Sequence, residues 1–410
     1  MLWQPRRCTL VVALGQVWQN SPLFSDCSGP MTNQCQLAGQ TFTLDRFPPE
    51  QKNRSLQAWD AADELLLSHA LTLLQQGLTS VLLMNDQFGA LACALAQYRP
   101  VQISDSYISE LATRHNFSQN ELDLNQLTQL NSLSAIPAAQ LVLLKLPNNH
   151  SYLRYQLRQL KQQLSPQCTI LACAKAKDIT QNLLTIFQQE LGPTSASLTV
   201  KKCRLITVTI DPAQPSLTSP QFPIRWKTPD DQKLMINHAN VFSREQLDQG
   251  ARFLLQHIPA CAPEQRVIDL GCGNGVLGLA MLERQPQINM VFADESYMAV
   301  DSARLTLQAN RPDLITQAEF SVDDCLSQQA DDSADFIICN PPFHQQNAIT
   351  DHIAWQMFAD ARRVLKKHGR LRIVANRHLA YSEKLARLFG GCIHVASNAK
   401  FTILEAIKRN

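Results

Sequence analysis

Short apolar runs alternate with stretches of helical spacing through most of this chain. Val81–Met84, Val101–Ser104, Leu141–Leu144 and Thr169–Ala174 in the first half are such runs. Val267–Leu270, Met290–Ala293, Phe320–Val322, Phe336–Cys339 and Arg370–Ala375 follow in the second. Short, continuously apolar runs predict strands buried on both faces. Between them, Leu56–Gln76, Ala90–Ala96, Leu153–Leu164, Ile179–Leu191, Gly250–His257, Leu277–Glu283 and Val300–Asn310 carry helical spacing, as do Ile353, Met357, Ala361, Val364 and Leu365. Alternating strands and helices predict an α/β chain of doubly wound, mostly parallel sheet. Ile393–Ala396 and Thr402–Ala406 flank Ser397-Asn398-Ala399-Lys400 and predict a closing antiparallel hairpin. Thr41–Leu44 alternates and predicts a further strand.

The pattern repeats. Val81 to Leu91 lies over Val267 to Leu277, Asp105-Ser106-Tyr107 over Glu295-Ser296-Tyr297, and Leu141 to Pro147 over Phe336 to Pro342. Agreement in order at three landmarks argues for a tandem duplication. The copies differ where chemistry would sit. Asn85 and Gln87 stand at the places of Gly271 and Gly273, Leu83 at Asp269, and Lys145-Leu146 at Asn340-Pro341. The first copy therefore reads as degenerate. Between the copies, Pro212, Pro215, Pro220 and Pro223 sit among Ser and Thr, a linker signal. The expected division is an extension outside the fold at 1–30, a degenerate unit at 31–210, a Pro-rich linker at 211–225 and a catalytic unit at 226–410.

Asn340-Pro341-Pro342-Phe343 closes a buried strand. Proline cannot donate to a ladder and extends the residue before it, so the strand ends in a rigid turn. Ligands bind at this end of open α/β sheets. The Asn340 side-chain oxygen and the Pro341 carbonyl can together satisfy both hydrogens of an exocyclic amino group. The nitrogen lone pair is then free to face an electrophilic methyl, and the ring of Phe343 offers a stacking face. Upstream, Asp269-x-Gly271-x-Gly273-x-Gly275 joins a strand to a helix, where glycines let backbone approach a ligand closely. Asp294 closes the next strand, at the place for a ribose diol, and Asp324 the next, at the place for an adenine edge. Phe242 either covers the methyl donor or packs in the core.

Composition adds limits. The chain has 410 residues, room for two domains, with 45% hydrophobic residues and a formal net charge of +2. Such a balance allows a nucleic-acid partner without demanding one, so basic surface must be local. Arg362, Arg363, Lys366, Lys367 and Arg370 form one basic run, and Lys175, Lys177, Lys201, Lys202 and Arg204 another. The 12 cysteines show no C-x-x-C pairing and sit largely in apolar runs, as reduced thiols of a cytoplasmic protein with no metal site. No run of 18 apolar residues predicts a membrane span. Arg6-Arg7 and Cys8 to Val17 faintly resemble a signal peptide, but Gly15 and Gln16 interrupt the apolar core. An extension ahead of a start at Met31 is the preferred reading.

Glycine turn, Asp294, Asp324 and Asn-Pro-Pro-Phe in this order resemble the class I S-adenosylmethionine methyltransferases. His238-Ala239-Asn240-Val241-Phe242-Ser243-Arg244, Asp269 to Gly275, Asn340 to His344 and Val374 to Leu379 resemble more specifically the bacterial ribosomal RNA guanine-N2 methyltransferases of the RlmG/RsmC group. In the first half, Asn85 to Leu91 and Asp105 to Leu111 look like the RlmG branch. The likeness runs from about Thr41 to the end. It implies two tandem Rossmann-like methyltransferase domains, S-adenosylmethionine as cofactor, and N2 methylation of a guanine in large-subunit ribosomal RNA. It also implies a first domain that aids RNA binding. Asn-Pro-Pro with an aromatic occurs as well in adenine-N6 and protein-glutamine methyltransferases, so the turn reads the amino group rather than the ring behind it. A non-catalytic RNA-binding scaffold is the contrasting reading, accepted here for the first half only. His344 and Arg377, with Lys202 and Arg204, are the expected RNA contacts, His344 orienting the substrate. A monomer is expected.

Overall fold

In the computed structural model, residues 33–49, 56–215, 217, 220–342 and 348–409 are described, 348–351 as backbone only. Two seven-stranded sheets dominate. The first runs Thr128–Asn131, Val101–Ser104, Val81–Met84, Leu141–Lys145, Thr169–Lys175, Cys203–Thr209, Thr194–Ala196 across its width. The second runs Ala318–Val322, Asn289–Asp294, Arg266–Leu270, Ala334–Cys339, Leu365–Asn376, Phe401–Ile407, Ile393–Ser397. Both follow the order 3-2-1-4-5-7-6, parallel except for the last hairpin. The α/β tandem and the C-terminal hairpin read from the sequence are thus the observed fold.

Burial explains why the strands lack alternation. In the first sheet, Leu83 and Leu143 enter one core and Leu82 and Leu144 another on the opposite face. In the second, Val267, Phe336 and Ile338 face one core while Ile268, Ile337 and Cys339 face the other. Phe292 stacks on Phe320 at 5.1 Å. The helix Val276–Arg284 lies so close that a Cβ on Gly278 would stand 2.2 Å from Phe292 Cε1.

Some expectations shift. The first long helix spans Ala61–Gln75, not Leu56–Gln76, because Asp60 caps it in a capping box with Asp63. The helix Tyr107–Gln119 was missed, being polar for most of its length, as were the strands Thr128–Asn131 and Cys203–Thr209. Ile224–Lys227, overlapping the expected linker, pairs antiparallel with Leu234–Asn237. Residues 1–32, including the extension and Met31, lie outside the described residues. Among the described residues no helix is long and apolar enough to cross a membrane, and no cluster of His, Cys, Asp or Glu is arranged to hold a metal.

The two sheets meet through corresponding residues. Ser106 forms an antiparallel bridge with Ser296. Tyr107 N donates to Glu295 O at 2.9 Å and Tyr297 N to Asp105 O at 3.1 Å. The landmark that aligned the halves is also the joint between them, and it brings the carboxyl end of one sheet to that of the other.

Candidate active site

A cavity of about 480 Å³ opens at the carboxyl end of the second sheet. Its floor is the glycine turn. Gly271 N and Cys272 N donate to Ala293 O at 2.8 and 3.0 Å, tying the turn to the neighbouring strand. Gly271 holds φ +72°, a conformation in which any side chain would be strained. Asp294 Oδ2 accepts from Gly273 N and its Oδ1 from Ser296 N, each at 3.0 Å, so this carboxylate lines the cavity in a fixed pose. Gly271, Gly273, Asp294, Phe242, Asn340, Pro341 and Pro342 all line the cavity. Phe242 is 61% exposed, which rules out the core alternative.

Three expected cofactor residues sit elsewhere. Asp269 is fully buried beneath the turn, where its Oδ2 accepts from Gly278 N at 2.9 Å. Burial pushes its carboxyl up to about 8. Gly275 starts the helix Val276–Arg284 at φ +78°, and a Cβ on it would meet Ala303 Cβ at 2.8 Å; it serves packing. Asp324 turns away and accepts from Gln356 Nε2 at 3.0 Å, while Asp323 and Cys325 form that wall.

The Asn-Pro-Pro turn carries the sharpest feature. Asn340 Nδ2 donates to Asp248 Oδ2 at 3.1 Å. Its Oδ1 is buried and accepts from no group among the described residues. A carboxylate on one side of the amide fixes which end is nitrogen, so the other end is an acceptor without a donor. Such an atom is costly unless a ligand completes it. Phe343 and His344 lie outside the described residues. Asp248 went unnoticed in the sequence; its one signal is a helix-capping carboxylate ahead of Gln249–Leu255.

A family model for the RLMG N-terminal domain matches residues 32–212, and one for the methyltransferase small domain matches 232–405. The ribosomal RNA large subunit methyltransferase G of Pseudoalteromonas translucida is 47% identical over 92% of this chain and 99% of its own length. That of Klebsiella pneumoniae strain 342 is 50% identical over 92% and 98%. The chain belongs to this methyltransferase family. Its fold is shared with the T. thermophilus 16S rRNA N2 G1207 methyltransferase (RsmC), solved in complex with AdoMet and guanosine, at a TM-score of 0.70 and 20% identity, over 92% of this chain and 97% of that one.

In this methyltransferase the first half holds a closed version of the same site. Asn85, at the place of Gly271, adopts φ +62° and fills the space with its side chain, donating to Lys145 O at 2.9 Å and Gln156 Oε1 at 3.1 Å. Lys145, at the place of Asn340, lies 2.7 Å from the buried Asp63 carboxylate. Asp86 replaces the lost Asp269: its Oδ2 accepts from Ala92 N at 2.9 Å, the place of Gly278 N. The fold's capping carboxylate is kept and the ligand space is filled.

The first half also reaches into the active one. Ile108 lines the cavity. Asp105 accepts from Asn240 Nδ2 at 2.7 Å, Ser296 Oγ at 2.6 Å and Met298 N at 2.9 Å, holding the segment that carries Phe242. Ser106 Oγ donates to Glu295, whose carboxyl is pushed up to about 8, chiefly by burial. His238 pairs with Asp301 at 2.7 Å. Of the basic runs, that of Arg362 to Arg370 is partly paired, Arg363 with Asp331, Lys366 with Asp335 and Arg370 with Glu405. In the other, Lys175, Lys177, Lys201 and Lys202 line one concavity, while Arg204 Nε donates to Ser197 O at 2.8 Å. Arg377 is exposed near the hairpin turn, its N donating to Lys400 O at 3.0 Å.

Proposed function

We propose that this protein transfers a methyl group from S-adenosyl-L-methionine to the exocyclic N2 amino group of one guanine in large-subunit ribosomal RNA. The observation that carries this reading is Asn340 Oδ1, a buried acceptor with no donor, set beside Pro341 at the mouth of the cavity. An amino group with two hydrogens completes such a site, one hydrogen to Oδ1 and one to the Pro341 carbonyl.

The residues present fit the cofactor. Gly271 and Gly273 leave room for its close approach, and Asp294 stands where a ribose diol would be held. Asp294 gives the cavity a carboxylate in a fixed pose, suited to a sulfonium cation and less to the neutral thioether left behind. When bound, S-adenosylmethionine supplies the electrophilic methyl. Asn340 and Pro341 orient the amino nitrogen so that its lone pair points into the cavity. Both acceptors are rigid, so little reorganisation accompanies the transfer. The amine needs no proton removed beforehand. Phe343 stacks on the ring in this reading and His344 orients it, with the guanine out of its stack.

The first domain, about 31–210, contributes RNA contact and no catalysis; its lysine-lined concavity, with Lys202 at the turn, suits a phosphate backbone. The protein acts as a monomer in the cytoplasm. The test is methyl incorporation into ribosomal RNA lacking its modification, followed by mapping of the modified base. Transfer to a guanine N2 of the large subunit supports the reading. Transfer to adenine, to protein glutamine or to small-subunit RNA alone overturns it.

A further inference from the structure

Asp248 has two oxygens with different tasks. Oδ2 accepts from Ala251 N at 2.8 Å, capping the helix Gln249–Leu255, and from Asn340 Nδ2 at 3.1 Å. Among the described residues nothing donates to Oδ1, although Asp248 lines the same cavity as Asn340 and Pro341. The carboxylate therefore stands beside the point where the amino group is held, with one acceptor unspent. Guanine presents a ring N1–H next to its N2 amino group, two donors side by side. Adenine presents an unprotonated N1 next to its amino group, a lone pair that a carboxylate repels. The Asn-Pro-Pro turn cannot distinguish these rings; Asp248 can.

We infer that Asp248 selects guanine by accepting its N1–H while holding Asn340 in the amide orientation that receives the amino group. This rests on the guanine-N2 reading above. A site built to take a donor rejects an analogue lacking it, because its own buried group is left unpaired.

The experiment uses the full-length protein and ribosomal RNA fragments carrying either guanine or 2-aminopurine at the target. The analogue keeps the amino group and lacks the ring N–H. Wild-type protein should prefer guanine by about 10- to 100-fold in kcat/KM, the worth of one hydrogen bond to a charged group. Asp248→Asn keeps an acceptor for Ala251 N and Asn340 but turns the free atom into a donor, and asparagine caps helices well. The variant should narrow or reverse the preference while S-adenosylmethionine affinity stays within a few-fold. Equal wild-type rates on both RNAs, or an unchanged ratio in Asp248→Asn, overturn the assignment of Asp248 while leaving guanine methylation standing. Absence of any transfer to guanine overturns the reading beneath it, and this inference with it.

Discussion

Replacing Asn340 by alanine separates activity from stability, and the structure indicates by how much. Among the described residues the side chain makes one hydrogen bond, to the Asp248 carboxylate, and buries one acceptor without a donor. Losing the bond to a charged partner costs about 1.5–3 kcal/mol, and removing a buried unsatisfied acceptor returns about 1–3 kcal/mol. The two nearly cancel, so thermal stability should change by about 1 kcal/mol or less, a shift of only about 2–4 °C for a domain of this size. The rate should fall about 10²–10³-fold, as when one preorganised polar partner of a transition state is deleted. The glycine turn is tied to Ala293 and Asp294, not to Asn340, so cofactor affinity should stay within a few-fold. The assay is methyl incorporation into unmodified ribosomal RNA, with calorimetric cofactor titration and a melting curve alongside. A variant turning over at the wild-type rate refutes the role given to the turn. A collapse in melting temperature refutes the cancellation argument.

Calorimetry should find one S-adenosylmethionine site per chain, since Asn85 and Lys145 occupy the first half's equivalent; two sites would contradict that. Gly278→Ala should destabilise by about 1–3 kcal/mol through overpacking against Phe292, read as a lowered melting temperature with the cofactor absent. Asp269 and Glu295 are raised to about 8 and Asp86 to about 7. In these groups the folded state binds protons more tightly than the unfolded state, so their contribution is present at low pH and is lost as pH rises. Cofactor-free stability should therefore decline from about pH 5 to pH 8, and a melting temperature that climbs across that window would contradict the assignment.

Much of this was legible because buried parallel strands announce themselves. Phe336-Ile337-Ile338-Cys339 feeds two cores at once, and no other pattern satisfies both faces. The glycine turn and Asn340 were legible because their chemistry needs those residue types. Elements that bury little were harder: Tyr107–Gln119 is a helix set by Ser106 capping and by docking between the halves. Asp324 was misplaced because its carboxylate accepts from Gln356 Nε2 at 3.0 Å, a tertiary contact that strand position alone does not reveal. Asp248 was hidden because its meaning is tertiary, arising only when its helix end meets a turn 92 residues away.

The two halves show one frame with its site open and with its site closed. Each has a helix whose capping carboxylate faces the turn at the end of the fourth strand. In the active half Asp248 meets Asn340 at 3.1 Å. In the first half Asp60 lies 3.5 Å from Lys145. A lysine there binds the carboxylates beneath it and leaves no acceptor for an amino group, so the same frame becomes a buried ion pair. The loop Asp105-Ser106-Tyr107 took the opposite course. It no longer borders a ligand space of its own, but its carboxylate accepts from Asn240 and Ser296 of the active half. That contact gives the first half a structural part in the active one, because the wall carrying Phe242 is held from outside its own domain. A change at Asp105 or Ile108 should therefore disturb the cavity of the second domain, even though the first domain's own site is closed.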